Sequence, residues 1–348
     1  MCESKDGLRP HELGHPHNHP TTIDRRTLVG LGVLGLGGIL LASCRKSGDS
    51  RIDSTTQTAS SATQNSETTS TTPPALQTLA GFEHFAETVE VFREGDLWMV
   101  ESDGIPKHNM MVGIKSWQQQ FPLPQPYFGA NAWRFPAIPT RAATPVSARS
   151  GLYRGAIAIA VNGVPIFNAL NNRGDDAYLA GELDQWGGHC GRADDYHYHV
   201  APLHLQAQTG TAPIAYALDG YPIYGTTESD GSAVGELDEW NGHADEDLGY
   251  HYHGTSSYPY ANGGLVGVVK VVADQIDPQP VTKPIRPPGE PLRGAAITDF
   301  RSPLTNHYEL EYTLEGSKFL VSYVIDGSMV TFTFTDEAGM TRTETYAR

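Results

Sequence analysis

The chain contains 348 residues and has a formal net charge of −16 at pH 7. Proteins that bind nucleic acid or anionic lipid headgroups need clustered Lys and Arg side chains, so this acidic balance argues against both functions. The three cysteines are too few for a disulfide framework. The length accommodates one large domain or two smaller domains.

Residues 1–44 have the features of an export signal. Arg25-Arg26 precede a short apolar run that ends in Leu41-Ala42-Ser43-Cys44, and the run is shorter than the ~20 residues of a membrane-spanning helix. The arginine pair resembles a twin-arginine signal, with an ordinary secretion signal as the alternative, and the end of the run resembles a lipoprotein box. This resemblance implies lipid attachment to Cys44 and an exported, membrane-anchored protein that faces the periplasm or the cell exterior.

Residues 45–80 are predicted to form a disordered tether. They are rich in Ser and Thr and contain few apolar side chains, so they cannot bury enough surface to offset the entropy that is lost on ordering. The folded part is therefore predicted to begin near residue 81.

Residues 81–274 show the pattern of β structure. Short runs rich in Val, Ile, Tyr and Phe alternate with turn residues, and no long segment has a helical period. Ala156–Val161 and Ile214–Leu218 are predicted to be buried strands. A related turn follows each of them, Asn162-Gly163 in the first case and Asp219-Gly220 in the second.

The C-terminal part is predicted to be a separate unit. Six prolines between residues 275 and 294 indicate a stiff linker. Residues 295–348 then contain four segments of alternating apolar and polar residues, which favour an antiparallel meander. We therefore expect a mainly β protein, in which a duplicated β module of sandwich- or barrel-like architecture precedes a small β-meander domain.

A phrase that occurs twice is the most informative feature of the sequence. The first copy runs from Gly181-Glu182-Leu183-Asp184 to Tyr196-His197-Tyr198-His199. The second copy, 54 residues later, runs from Gly235-Glu236-Leu237-Asp238 to Tyr250-His251-Tyr252-His253. A third histidine stands at the equivalent position of each copy, and the copies align without a gap, which indicates an internal duplication.

The spacing of these histidines favours metal binding. A Tyr-His-Tyr-His strand has a period of two, so both imidazoles of a copy lie on one face and both tyrosines on the other. Three imidazoles with an open fourth position are typical of catalytic zinc or copper sites. The copies could form two sites or one shared centre. The predicted ligands of a divalent transition metal, zinc or copper, are His189, His197, His199, His243, His251 and His253, with His108 as a further candidate.

Acidic residues accompany the histidines in both copies. Glu182 and Glu236 are candidate catalytic general bases, with solvated turn carboxylates as the alternative. Asp184 and Asp238 could accept the free ring N–H of a ligand histidine. Calcium binding is disfavoured because the phrase lacks a dense set of oxygen ligands. The tyrosines of the two motifs are assigned to packing.

These motifs resemble those of a known family. Asn162-Gly163-Val164-Pro165, the two Leu-Asp-x-Trp-x-Gly-His stretches, the segment Asp219–Gly225 and above all the two Tyr-His-Tyr-His motifs resemble the YHYH-domain family of exported or membrane-anchored bacterial proteins. The resemblance extends from about Asp103 to Gly267. It implies an extracytoplasmic domain of these limits and no particular activity.

Two hypotheses of different classes follow. In the first, the protein is a membrane-anchored, extracytoplasmic metal-binding protein, either a metal-dependent hydrolase or a protein that handles copper or zinc. In the second, it is a non-enzymatic module that binds an envelope glycan or peptide in an aromatic groove, and the histidines are structural. Metal content distinguishes the two hypotheses.

Overall fold

The computed structural model describes residues 79–348. The predicted export signal with its lipidation site at Cys44, and the predicted tether as far as residue 78, lie outside the described residues. Within the described part, no helix combines the length and the apolar character that crossing a membrane requires.

Strands dominate the secondary structure, as predicted. One α-helix, α1 (Gln206–Thr209), and three 3-10 turns (Phe82–Phe85, Gly129–Asn131 and Leu203–Leu205) interrupt them. The strands are β1 (Val89–Glu94), β2 (Leu97–Ser102), β3 (Lys115–Trp117), β4 (Trp133–Pro136), β5 (Arg141–Ser147), β6 (Ala156–Ala160), β7 (Pro165–Phe167), β8 (Gly188–Cys190), β9 (Tyr196–Tyr198), β10 (Ala215–Ala217), β11 (Pro222–Tyr224), β12 (Gly242–Asp245), β13 (Gly249–His253), β14 (Gly264–Gly267), β15 (Val271–Val272), β16 (Gln275–Ile276), β17 (Leu292–Leu304), β18 (His307–Leu314), β19 (Ser317–Asp326), β20 (Met329–Thr335) and β21 (Thr341–Ala347).

The two copies of the repeat form the two halves of one eight-stranded sheet. Its strand order is β12-β13-β11-β10-β6-β7-β9-β8, so the second copy mirrors the first across the central pair of β10 and β6. These central strands are antiparallel and are buried along their whole length. In each half a parallel pair, β7 with β9 or β11 with β13, connects the centre to an outer hairpin. The duplication therefore places one histidine-bearing hairpin at each edge of the sheet.

The C-terminal strands form a six-stranded sheet in the order β21-β20-β19-β18-β17-β3. Its last four strands in the chain, β18 to β21, are the predicted antiparallel meander. β17 begins immediately after the proline-rich segment and pairs with β3, which precedes the repeat in the chain. The Tyr323 hydroxyl also donates to the Pro122 carbonyl at 2.5 Å. Contacts of this sheet therefore extend to residues that come before the repeat.

The fold prediction is confirmed in its class. The protein is mainly β, and the C-terminal meander is present. No sheet in residues 79–348 closes into a barrel, so the barrel-like alternative is wrong. The physical reason is that the two halves meet at one central pair of strands, while the outer hairpins end the sheet at open edges. The predicted domain limits stay a prediction, and all described residues belong to one compact unit.

Candidate metal centres

The outer hairpin of each copy brings its histidines together. In the β8–β9 hairpin His189 lies directly opposite His197, and in the β12–β13 hairpin His243 lies opposite His251. Directly opposed residues project to the same face of a sheet, and the last histidine of each motif follows two residues later on that face. Each copy thus presents three imidazoles from two adjacent strands.

We call the group formed by His189, His197 and His199 site 1. The Nε2 atom of His199 lies 3.0 Å from Nε2 of His189 and 3.2 Å from Nε2 of His197. His197 and His199 are buried, and His189 is half-buried. Phe167 stacks on the ring of His197, with 3.9 Å between the centroids. The three ring nitrogens therefore converge on one point beside an aromatic wall.

Hydrogen bonds on the far side of the rings fix the tautomers in site 1. Nδ1 of His197 lies 3.0 Å from the Asp195 carbonyl oxygen, and Nδ1 of His199 lies 2.5 Å from the Asn168 carbonyl oxygen. A carbonyl oxygen can only accept a hydrogen bond, so these Nδ1 atoms hold the protons and the Nε2 atoms expose lone pairs. The Nε2 atoms of His197 and His199 are therefore available as metal donors without a proton of their own.

Protonation does not relieve the repulsion between these lone pairs. Burial, together with the neighbouring His199 ring, lowers the pKa of His189 to about 3. Burial also lowers the pKa of His199, and it lowers that of His197 well below its ordinary value. Near neutral pH the three rings are consequently uncharged, and the Nε2 lone pairs of His197 and His199 face each other 3.2 Å apart. A bound cation removes this unfavourable arrangement.

We call the group formed by Glu228, His243, His251 and His253 site 2. The Glu228 Oε1 atom lies 3.2 Å from Nε2 of His243, and Oε2 lies 3.3 and 3.2 Å from Nε2 of His251 and His253. Nε2 of His243 and Nε2 of His253 are 3.2 Å apart. Three imidazoles and a carboxylate therefore form a complete set of four ligand groups.

The rings of site 2 are oriented as in site 1. Nδ1 of His251 lies 3.0 Å from the Gly249 carbonyl oxygen, and Nδ1 of His253 lies 3.1 Å from the Gly225 carbonyl oxygen. Burial opposes ionisation of Glu228, but His253, the Gly235 N–H and the other two rings favour its charged form, and the net result is a lowered pKa. Site 2 therefore combines an ionised carboxylate with three imidazoles.

The spacing of the donor atoms fits metal coordination. Two nitrogen ligands at the usual zinc distance of about 2.0–2.1 Å lie about 3.3 Å apart in a tetrahedral site and about 2.9 Å apart at a right angle. The measured Nε2 separations of 3.0 to 3.2 Å lie between these values. In each group, all candidate ligand atoms lie within 4.8 Å of one another. Both groups could therefore hold a metal ion.

The repeat explains why only site 2 contains a carboxylate. Upstream of the phrase the copies align with an offset of 57 residues, which places Asn171 at the position of Glu228. Both residues begin the same turn: Asn171 N–H donates to the Asp175 carbonyl, and Glu228 N–H donates to the Ser232 carbonyl. The amide of Asn171 is not a member of site 1 and instead donates to Glu182, at 3.2 Å. Site 1 therefore has three candidate ligands where site 2 has four.

The two sites are separate. Strands β9 and β13, which hold the histidine pairs, are five strand spacings apart in the sheet. At about 4.8 Å per spacing this corresponds to about 24 Å along the sheet. Of the two arrangements that the sequence left open, the structure therefore shows two groups of ligands and not a shared centre.

Site 1 opens into a cavity, and Glu182 lines the same cavity. The cavity has a volume of about 760 Å³, and its lining includes all three histidines of site 1. The carboxylate of Glu182 forms an ion pair with Arg173 and accepts from Asn171. Its counterpart Glu236 is exposed and does not belong to site 2. The structure thus places one of the two candidate bases in the cavity of a candidate metal site.

His108 lies away from both sites. Its Nδ1 atom donates to the Asn109 carbonyl at 2.6 Å, and its Nε2 atom accepts from the Tyr198 hydroxyl at 2.7 Å. Its ring stacks on Trp186, with 4.7 Å between the centroids. Since Tyr198 points to the opposite face of β9 from the histidines, His108 is separated from site 1 by the strand itself.

Asp184 and Asp238 support the hairpins and do not contact a ligand imidazole. Asp184 accepts from the Tyr196 hydroxyl at 2.8 Å and from the Met111 N–H at 2.8 Å. Asp238 accepts from the Tyr250 hydroxyl at 2.9 Å. The predicted contact between these carboxylates and a ligand imidazole is therefore not formed, because backbone carbonyls accept the hydrogen bonds of the Nδ1 atoms.

Two acidic residues that lie beside candidate ligand rings are not identified by the sequence analysis. Glu228 is a candidate ligand of site 2, and the carboxylate of Asp195 lies 3.7 Å from Nδ1 of His197 in site 1. Burial raises the pKa of Asp195 to about 7. An alignment of the copies with the 57-residue offset would have matched Glu228 with Asn171, but this pair differs in charge and therefore gave no repeated signal.

Comparison with known proteins supports the family resemblance. Residues 132–234 match a family model with the description YHYH protein. The matched segment contains site 1 and Glu228, and it ends one residue before the second copy of the phrase begins at Gly235. The resemblance to the YHYH family is confirmed over these residues. Searches of curated proteins and of solved structures each gave no match.

Proposed function

We propose that the protein binds two divalent transition-metal ions, one at site 1 and one at site 2. The observation that supports this proposal is the fixed tautomer of the ligand rings. Backbone carbonyls hold the Nδ1 protons of His197, His199, His251 and His253, so the Nε2 atoms of these rings are the positions that converge in each site. Zinc and copper both accept imidazole nitrogen, and a carboxylate oxygen is compatible with either ion.

The two sites have different roles in this proposal. Four protein ligands are typical of a closed structural site, and site 2 offers Glu228 and three imidazoles. Three protein ligands beside a cavity are typical of a site that exchanges a fourth ligand, and site 1 has this arrangement. Site 2 therefore stabilises its edge of the sheet, and site 1 is the reactive site.

Hydrolysis is the reaction class that site 1 supports best. When bound by three neutral ligands, zinc lowers the pKa of a water molecule to near 7. Glu182 lines the same cavity and can accept a proton there. Asn171 and Arg173 hold the Glu182 carboxylate in place. A protein that only handles copper or zinc requires no such base, so Glu182→Gln distinguishes the two functions: a hydrolase loses turnover, while a metal-handling protein retains its ion and its exchange rate.

The location in the cell is also part of the proposal. The arginine pair, the short apolar run and Cys44 support export and lipid anchoring. A histidine-rich protein in this setting meets metal ions outside the cytoplasm. The substrate of a hydrolase there would be an extracytoplasmic ester, amide or phosphoester.

Metal content tests the proposed function directly. Purified protein should bind two equivalents of zinc in a competition titration. His189→Ala should bind one, and His243→Ala, which leaves site 2 three ligand groups, should bind its second equivalent at least tenfold more weakly. These two positions are chosen because they are the least buried members of their sites. Absence of binding, with a thermal stability that chelator does not change, would support the glycan- or peptide-binding alternative.

A further inference from the structure

The cavity at site 1 has the opposite charge from the protein as a whole. The chain has a formal net charge of −16, yet the cavity lining contains four cations and a single carboxylate, that of Glu182. The cations are Lys115, Arg173, Arg192 and Arg286. A local excess of positive charge inside an acidic protein attracts anions to that one place.

Two of the four cations are neutralised by partners. Arg286 forms a buried ion pair with Asp194, with N···O distances of 2.6 and 2.8 Å. Arg173 pairs with Glu182 and with Asp175. These ion pairs therefore hold the two side chains in the wall of the cavity.

The other two cations are available. Lys115 at the end of β3 and Arg192 in the β8–β9 turn are exposed. Neither forms an ion pair with a carboxylate in the part of the chain that the structure describes. They come from separate segments of the chain and line the same cavity. Together with a divalent ion in site 1 they give the cavity a positive charge that Glu182, which is already paired with Arg173, does not balance.

Site 2 contains a fourth ligand group that site 1 lacks. Its fourth ligand group is the carboxylate of Glu228, whose oxygens lie 3.2 to 3.3 Å from all three imidazoles. The equivalent residue in site 1 is the neutral Asn171, which bonds to Glu182 instead. The duplicated module therefore supplies its own carboxylate to the histidines at one edge of the sheet, and supplies none at the other edge.

We propose that site 1 binds an exogenous oxyanion, a carboxylate or phosphate group of the substrate, in the position that Glu228 fills in site 2. This inference rests on the proposed metal function of site 1. One oxygen of the anion coordinates the metal ion, and Lys115 and Arg192 neutralise the remaining charge. Site 2 excludes such a ligand because its own carboxylate occupies the position.

Cobalt substitution tests the proposal, because the visible spectrum of Co²⁺ reports its ligands. Full-length protein is loaded with Co²⁺ and titrated separately with inorganic phosphate and with acetate. At least one of the two anions should change the spectrum of the wild type and of His243→Ala, which retains site 1. Neither should change that of His189→Ala. The anion that binds more tightly identifies the class of substrate group.

Charge variants test the role of the two cations. Lys115→Ala and Arg192→Ala should each weaken anion binding about two- to fivefold, as expected for an exposed charge pair. The matched control Lys318→Ala removes an exposed cation from β19, outside the cavity, and should change nothing. Asn171→Glu supplies site 1 with its own carboxylate and should retain Co²⁺ but abolish the response to the anion.

The outcomes separate the two proposals. If Co²⁺ binds neither site, the proposed metal function is wrong. If Co²⁺ binds both sites and neither anion changes the spectrum, or if His189→Ala responds as strongly as the wild type, the metal function stands and the oxyanion proposal is wrong. Equal anion affinity in Lys115→Ala, Arg192→Ala and Lys318→Ala would likewise overturn the assigned role of the cations.

Discussion

Replacement of Glu228 by Gln is predicted to weaken site 2 selectively. The carboxylate lies 3.2 to 3.3 Å from the Nε2 atoms of three histidines, so the change keeps the shape of the side chain and removes the only negative charge among the four ligand groups. A neutral amide is a much weaker metal ligand than a carboxylate.

The size of the effect follows from the position of Glu228 in the site. Mutation of a residue that only supports a ligand typically costs 10- to 100-fold in metal affinity, so loss of a direct ligand should cost at least this much. This corresponds to about 1.4 to 2.8 kcal/mol of binding free energy. At saturating zinc the loss appears in the free energy of unfolding, and the melting temperature should fall by about 3 to 10 °C.

Thermal unfolding with and without chelator measures this effect. Glu236→Gln is the matched control, because it makes the same change in the same copy at an exposed carboxylate outside site 2. We expect Glu228→Gln to lower the melting temperature in zinc and to differ much less from the wild type in chelator. An equal loss of stability in both conditions would mean that Glu228 only forms ion pairs with protonated histidines, and it would refute the metal assignment of site 2.

Three further predictions follow from the same geometry. Burial lowers the pKa of His189 to about 3, below its unfolded value of about 6.5. Between pH 7.5 and pH 5 the metal-free wild type should therefore lose about 1 to 2 kcal/mol of unfolding free energy relative to His189→Ala, a comparison that cancels the opposite effect of Asp195, whose pKa is raised to about 7. Denaturant unfolding of both proteins at both pH values checks this, and an equal pH dependence would contradict a neutral His189. Tyr196→Phe removes a hydrogen-bond donor from the buried Asp184 and should cost about 1 to 3 kcal/mol of unfolding free energy, measured with denaturant. Tyr250→Phe, at the exposed Asp238, is the control and should cost less. Equal costs would contradict a stabilising role for the buried Tyr196–Asp184 hydrogen bond. Cys44→Ser should move the protein from the membrane fraction to the soluble fraction, whereas continued membrane association would show that lipidation of Cys44 is not its anchor.

The local part of the fold could be predicted from the sequence. Alternation in Tyr-His-Tyr-His fixes the faces of a strand because the period of a strand is two, and the histidines do converge on one side of each hairpin. The four C-terminal segments are predicted by alternation and by short turns between them. Such signals depend on neighbours in the chain, so no tertiary information is needed.

Contacts between distant segments could not be predicted in this way. Glu228 reaches site 2 from a loop whose spacing to the histidines differs between the copies, and its counterpart is Asn171, so neither position nor residue type recurs. The proline-rich segment predicted a linker, yet Arg286 within it forms a buried ion pair with Asp194. The pairing of β17 with β3 joins residues that are far apart in the sequence.

The strand arrangement explains why the sites are two and not one. The repeat alone is compatible with copies that face each other and share their histidines. The antiparallel pairing of β6 with β10 instead joins the copies at their inner strands and places the histidine hairpins at opposite edges. This arrangement depends on the pairing of the buried apolar strands Ala156–Ala160 and Ala215–Ala217 with each other, and the sequence does not specify which strands pair.

Anomalous X-ray diffraction from crystals grown without chelator, measured at the zinc and copper absorption edges, tests the central claim most directly. We predict two peaks per chain, one within coordination distance of the Nε2 atoms of His189, His197 and His199, and one among Glu228, His243, His251 and His253, about 24 Å apart along the sheet. Crystals of zinc- or copper-soaked protein that show no peak at either position, with the Nε2 atoms bonded to water or protein groups instead, would contradict it.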